Sequence, residues 1–327
     1  MKRTVLLGLI LLVVGALVFA VGFFGSGQNL SAVNGDLGPI SVRVGRGFGG
    51  GKSAGTPVGN TGDKEYTVFM GGITYIELDE NDADVVVTQS GDSKIHLIYQ
   101  ESADDAMEIS CYNGKLTMKR RSRNGLFFFW FTDTDRRTEL QIPHNLTTEV
   151  IVGSDNGSVT VKKVVISGDA AFSSGNGDVE IQTLYADKVT LENSNGGITA
   201  KDVHCADAAL KNSNGKIDAA DFSCASLEVR SSNGRITLTN VSAETTLYAK
   251  TSNGAVTVDD VSAGKSIELR SSNGSVRGTL AGSSDNYRIT SKTSNGSSNL
   301  PADWGRGSIL LTVETSNGSI DLNFTED

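Results

Sequence analysis

The chain is poor in the residues that most often carry chemistry or cross-links. It has three cysteines and three histidines in 327 residues. Cys111, Cys205 and Cys224 are too few and too irregularly spaced for a disulfide framework. His96, His144 and His204 have neither metal-ligand nor triad spacing, so no metal, no cofactor and no catalytic residue is expected. A basic excess is also missing. The net charge of −9 argues against nucleic acid as a partner. Proline is scarce at 4 residues, and aromatics make up only 6%.

What is present is 38 glycines with abundant Ser, Thr, Asn and Val, the composition of a β protein. One apolar run stands apart, opening at Thr4 and closing at Phe24 behind Lys2 and Arg3. About 20 such residues span a bilayer core, which makes residues 1–24 a transmembrane anchor that holds the chain to a membrane. A cleaved signal is the alternative, with Val18-Phe19-Ala20 as the cleavage site. No Lys or Arg follows until Arg43, so the expected topology is single-pass, with a cytoplasmic N-terminus and an extracytoplasmic body. Gly8, Gly15 and Gly22 lie at seven-residue spacing, on a helix face that permits close packing. Residues 25–62, with "GRGFGGGKSAGTPVGNTG", read as a glycine-rich linker. Apolar alternation starts at Lys64 and predicts strand–turn–strand, so residues 63–149 are assigned to N-terminal coils and a cap.

Residues 150–327 repeat. Asn-Gly recurs at Asn156, Asn176, Asn195, Asn214, Asn233, Asn253, Asn273, Asn295 and Asn317, with spacings of 19 to 22 residues. Four residues before the Asn stand Val152, Phe172, Leu191, Leu210, Val229, Ala249, Leu269, Ser291 and Val313. Three after it stand Val159, Val179, Ile198, Ile217, Ile236, Val256, Val276, Ser298 and Ile320. Independent Asn-Gly hairpins would not need so constant a spacing. Each unit is two short strands that cannot bury their apolar face alone, whereas stacked units can. The expected fold is all-β: a β-solenoid, of the right-handed β-helix kind, with about nine coils of 19–22 residues behind one N-terminal transmembrane helix. At each corner the Gly is expected to supply positive φ. The Asn is expected to bond to the Asn above and below. Ser154, Asn193, Asn212, Ser231, Thr251, Thr293 and Thr315, two residues earlier, are expected to form a second polar ladder.

With "IELDENDADVVV" near its start, "ELQIPHNLTTEVIV" further on and the "SNGxIxx" train ending in "SNGSIDLNF", the chain from about Ile73 to Phe324 resembles the bacterial "putative adhesin" family. These are membrane-anchored domains of unknown function that form β-helices. The resemblance implies a surface-exposed, non-enzymatic module of the cell envelope and carries over no catalytic residue.

Four features remain. Lys211, Arg230, Lys250, Arg270 and Lys292, three residues before the Asn, form an outward column that suits an anionic cell-wall polymer such as teichoic acid or acidic polysaccharide; an ordinary solvated face is the alternative. Asp202, Asp221, Asn240 and Asp260, seven residues after it, form a column of oxygens. Such a column fits Ca²⁺ or the chemistry of a polysaccharide lyase or hydrolase, but Asp and Asn closing a turn is the favoured reading. Leu126 to Phe131 is an unbroken apolar stretch between bases, read as a buried strand or cap over the first coil, or else as a loop dipping into the membrane interface. Cys205 and Cys224 share a column with Ala186, Ala243 and Ala263, as small wall residues or as a stacked disulfide. Two functions stay open: a non-catalytic adhesin-like binding or structural module, whose partner is a wall polymer or another envelope protein, and a polysaccharide-acting enzyme using Asp202, Asp221 and Asp260.

Overall fold

The computed structural model describes residues 36–37, 40–41, 63–69, 72–100, 105–122, 136–144 and 149–326. The expected anchor, most of the linker and the apolar stretch Leu126 to Phe131 lie outside the described residues. Among the described residues no helix is long and apolar enough to cross a membrane. The chain forms two compact units, residues 1–52 and 53–327. In the first, Asp36–Leu37 and Ile40–Ser41 pair antiparallel.

The second unit is a β-solenoid. Its period-two alternation places one face of every strand inward. Strands preceding the corner (Glu149–Ser154, Asp169–Ser174, Lys188–Asn193, Asp207–Asn212) stack in parallel, each in register with its counterpart one coil on. Strands following it (Val159–Val165, Val179–Tyr185, Ile198–His204) form a second parallel stack. In mid-stack the wall between them is also extended, so Ile217–Ser231 and Ile236–Thr251 run through from one stack to the other. Apolar columns from both stacks meet in one core. In a single coil Leu210, Ile217 and Phe222 are fully buried, with Ala208, Ala219 and Cys224 beside them. Each fully buried large aliphatic or aromatic side chain stabilises the fold by roughly 1.5–3 kcal/mol.

Both ends depart from a simple spiral. At the N-terminal end the coil Tyr75–Glu80 and Asp84–Gln89 lies directly against the Asn156 coil. The later strands Lys115–Ser122 and Arg137–Ile142 lie outside it. Antiparallel strands then close this end: Lys94–Gln100 on Arg137–Ile142, Asp63–Phe69 on Lys94–Gln100, and Asp105–Tyr112 on Lys115–Ser122. Capped ends prevent edge-to-edge growth of a solenoid.

The last two coils are out of chain order. Ser266–Ser271 pairs with Ile309–Thr315, and Tyr287–Thr293 lies beyond that strand. The Asn317 coil is therefore inserted between the Asn273 and Asn295 coils. Nine corners were expected to mean nine coils. The solenoid has about eight turns, because the Asn295 coil keeps only its first strand and meets the second stack through one bridge, Ser298 to Ile320. The cause is chemical. That coil places Ser291 and Ser298 in columns that are otherwise apolar. At the end of the stack the Ser291 hydroxyl donates to the carbonyls of Leu300 (3.2 Å) and Pro301 (2.8 Å), partners an inner layer could not supply. Asn299 then finishes the second stack. Its Nδ2 donates to Leu322 O at 2.8 Å, and its Oδ1 accepts from Leu322 N at 3.0 Å, so a side-chain amide takes the place of another strand.

The N-terminal cap carries a titratable contact. His96 Nε2 lies 2.9 Å from Asp92 Oδ1, and Nδ1 lies 3.0 Å from Glu65 Oε1. Burial opposes the charged ring, but the hydrogen bonds to Asp92 and Glu65 outweigh it and raise the imidazole above its usual value. A raised folded value contributes stability that is complete below the unfolded value of about 6.5 and is lost as pH climbs through the folded one. We expect the urea midpoint to fall over that window, and His96→Gln to lose this component. An identical pH dependence in parent and variant would remove His96 from the cap.

Candidate functional site: an axial groove beside the corner ladder

The repeated corner owes its geometry to three neighbouring positions. The glycine is not there for positive φ, contrary to expectation: no corner glycine lies in the left-handed region. The reason is close approach. A Cβ on Gly234 would lie 1.7 Å from the carbonyl oxygen of Gly215, one coil below. Left-handed backbone occurs instead at the second corner, in Lys163, Thr183, Asp202, Asp221, Asn240 and Asp260, with φ between 51° and 66°. Asp and Asn tolerate that conformation better than most residues, which explains their place seven residues after the repeat Asn.

The asparagines hydrogen-bond along the axis. Asn176 Nδ2 donates to Asn156 Oδ1 at 2.6 Å, and the same bond recurs from Asn195, Asn214, Asn233, Asn253 and Asn273 at 2.7–2.8 Å. Asn317 then donates to Asn273, and Asn295 to Asn317, following the swapped coil order. The donor end of this row meets a carboxylate: Asn156 Nδ2 donates to Asp82 Oδ1 at 2.6 Å. A negative group there complements aligned amide dipoles, as it does at a helix N-terminus.

The polar residues two before the Asn do not ladder with one another. They bridge coils through the glycine backbone. Thr251 Oγ1 donates to Gly234 O at 2.9 Å and accepts from Gly254 N at 3.2 Å. Ser271 and Thr315 make the same pair of contacts, whereas Ser154 accepts from Gly157 N but donates to Ala83 O, which stands in the glycine's place one coil away. Asn193, Asn212 and Thr293 donate to the glycine carbonyl of an adjoining coil in the same way, and Ser231 Oγ accepts from Gly234 N at 2.9 Å. Burial of these groups is thus matched by hydrogen bonds, except at Asn193 Oδ1.

Outward of this floor runs a groove of about 640 Å³, lined by Asp79, Glu192, Lys211, Arg230 and Lys250 on one wall and by Ser194, Ser213 and Ser232 on the other. A further 230 Å³ continues past Arg270, Glu314 and Lys292. Lys211, Arg230, Lys250 and Arg270 are neighbours in register. The fifth expected member is displaced: Glu314 stands between Arg270 and Lys292, because the final coils are exchanged. The run is also partly neutralised. Lys211 Nζ lies 3.1 Å from Glu192, Arg230 pairs with Glu228 and lies 4.4 Å over the Tyr248 ring, and Arg270 pairs with Glu268 and with Glu314 at 2.8 Å. Among the described residues Lys250 makes no ion pair. Exposed pairs are worth about 0–1 kcal/mol each, so an incoming anion can compete for these cations.

The aspartate column lies on the other stack, beside a hollow of about 530 Å³ that includes Thr183, Asp202 and Asp221. The carboxylates of Asp202 and Asp221 are engaged. Thr183 Oγ1 donates to Asp202 Oδ2 at 2.7 Å, His204 Nε2 lies 3.2 Å from Asp202 Oδ1, and Asn240 Nδ2 donates to Asp221 Oδ1 at 2.8 Å. The Thr183 hydrogen bond, then that from His204, holds the Asp202 carboxyl below the usual carboxylate range. That direction is wrong for a general acid. Among the described residues no group of three or more His, Cys, Asp or Glu is placed to hold a metal ion. Cys205 and Cys224 are free thiols, both pushed up to about 12, chiefly by burial.

A family model described as Toastrack DUF4097 matches residues 73–323. The chain is similar to a "Putative lipid binding protein" from Parabacteroides distasonis, at 16% identity over 81% of this chain and 98% of that one, with a TM-score of 0.48. It is also similar to a "putative adhesin" from Bacteroides fragilis (12% identity, 81% and 98% covered, TM-score 0.39) and to one from Parabacteroides merdae (11% identity, 81% and 98% covered, TM-score 0.35). No curated protein matches the chain.

Proposed function

The chain belongs to the Toastrack DUF4097 family, and on that basis we propose that it is a non-catalytic, adhesin-like binding module of the bacterial cell envelope, anchored through Thr4 to Phe24 with its solenoid outside the membrane. Its ligand is an extended anionic polymer lying along the groove. The observation that carries this reading is the in-register run Lys211, Arg230, Lys250 and Arg270 on one groove wall. Coils about 4.8 Å apart present these cations in a line that an extended chain can follow. The net charge of −9 does not oppose this, because approach is governed by local potential within a Debye length of about 8–10 Å.

Binding of a linear polyanion should weaken as salt rises. Changing Arg230, Lys250 and Arg270 together to Gln should reduce affinity by about tenfold or more, at up to about 1 kcal/mol per exposed pair. The same change at Lys162, Lys163 and Lys188, outside the groove lining, should leave it unaltered. Salt-independent binding, or equal losses from the two triple variants, would reduce the run to a solvated face.

A further inference from the structure

The Ser of each Ser-Asn-Gly has no internal task. Ser194, Ser213, Ser232, Ser252 and Ser272 follow one another coil by coil through backbone bonds, and among the described residues none of their hydroxyls has a hydrogen-bond partner. The neighbouring positions are all occupied: glycine by close approach, asparagine by its ladder, the residue before Ser by the glycine backbone. A row of unengaged hydroxyls therefore faces the row of cations across the groove. The floor adds an independent sign. Asn193 is 5% exposed and lines the groove, yet its Oδ1 has no partner, whereas one coil on the Oδ1 of Asn212 accepts from Gly215 N at 2.8 Å.

We propose that the groove takes a linear acidic polysaccharide, one sugar per coil, with the sugar carboxylate on the cation wall and a sugar hydroxyl on the serine wall. This rests on the polyanion reading above and names its ligand class. Two arguments favour a sugar chain over a dense polyanion. Glu192, Glu228, Glu268 and Glu314 offset much of the positive run, which suits a ligand of low charge density rich in hydroxyls. The advance of a pyranose unit along its chain is also comparable to the coil spacing of about 4.8 Å, so sugars and coils keep step along the groove.

The test uses the full chain at fixed low salt, titrated with polygalacturonate, with polyacrylate of matched charge and with poly(glycerol phosphate). Polygalacturonate should bind about tenfold tighter than polyacrylate, the worth of one or two net hydrogen bonds. Ser194→Ala, Ser213→Ala and Ser232→Ala together should remove that advantage, leave polyacrylate binding unchanged and leave the melting temperature unchanged. Retention of the full preference by the serine variant, or equal affinity of the parent for the two carboxylate polymers, overturns the inference. So does a serine-dependent preference for poly(glycerol phosphate), which would make the ligand a polyol phosphate. The two readings fail separately. Polymer binding that survives loss of Arg230, Lys250 and Arg270 defeats the cation run, whereas cation-dependent binding indifferent to the serines defeats only the polysaccharide. Binding of none of the polymers defeats both.

Discussion

Gly234→Ala, one added methyl in mid-stack, should cost about 3 kcal/mol or more, at or above the upper end for overpacked sites. The atom it meets is a backbone carbonyl, 1.7 Å from where the Cβ would stand, and that carbonyl belongs to the corner of the next coil. Relief requires the two coils to separate locally. That strains the Asn214–Asn233 bond and the neighbouring register together. Gly234→Asn separates close approach from conformation. Asn tolerates left-handed backbone, so it would be mild if φ were the reason for the glycine; here it should be as damaging as Ala. The second corner should answer in the opposite sense. Asn240 has φ of 51°, so Asn240→Gly should be tolerated and Asn240→Val should cost about 1–2 kcal/mol. Urea midpoints of the four variants decide the matter. A harmless Gly234→Asn would refute the close-approach account.

Arg120→Ala should destabilise the N-terminal end by about 3–5 kcal/mol, the usual cost of stranding one partner of a buried ion pair. Glu80 is fully buried where the next coils carry Ser154 and Ser174, and Arg120 is its neighbour in the coil outside. Arg120 Nε and Nη2 donate to the two Glu80 oxygens at 2.9 and 3.0 Å, and the Thr138 hydroxyl donates to the same carboxylate. The pair closes the column of buried bridging groups at the point where no corner glycine follows. Replacing both residues by Met should recover most of the loss, because no charge is then left unpaired. If the single and double variants unfold alike, volume rather than charge controls this end.

Much of the architecture was legible in the repeat. The columns four before and three after the Asn are apolar in nearly every coil, and those residues form the core. The Asn ladder follows from one amide per coil at one position. The reason for the glycine was not legible, since φ and close approach predict the same residue and only the path of the neighbouring coil separates them. The exchanged coils left a signal that periodicity alone could not interpret: Ser291 and Ser298 break both apolar columns in the same unit, and the spacing lengthens to 22 on each side of Asn295. A unit with hydroxyls in its core columns belongs at an end of the stack. The groove was half legible. The basic positions could be aligned, but Glu314 entering the run depends on the exchange, and the serines stand out only once the hydrogen bonds of the asparagines and of the bridging residues are known.

The central claim is that the ligand lies along the cation and serine walls of the groove. Lysine acetylation of the full chain, read by mass spectrometry with and without polygalacturonate, tests it most directly. Lys211 and Lys250 should be protected together by the polymer, while Lys162, Lys163, Lys188 and Lys201 react at unchanged rates. Protection of Lys201, beside the Asp202 hollow, with Lys211 and Lys250 left fully reactive would place the ligand on the opposite stack and contradict the account.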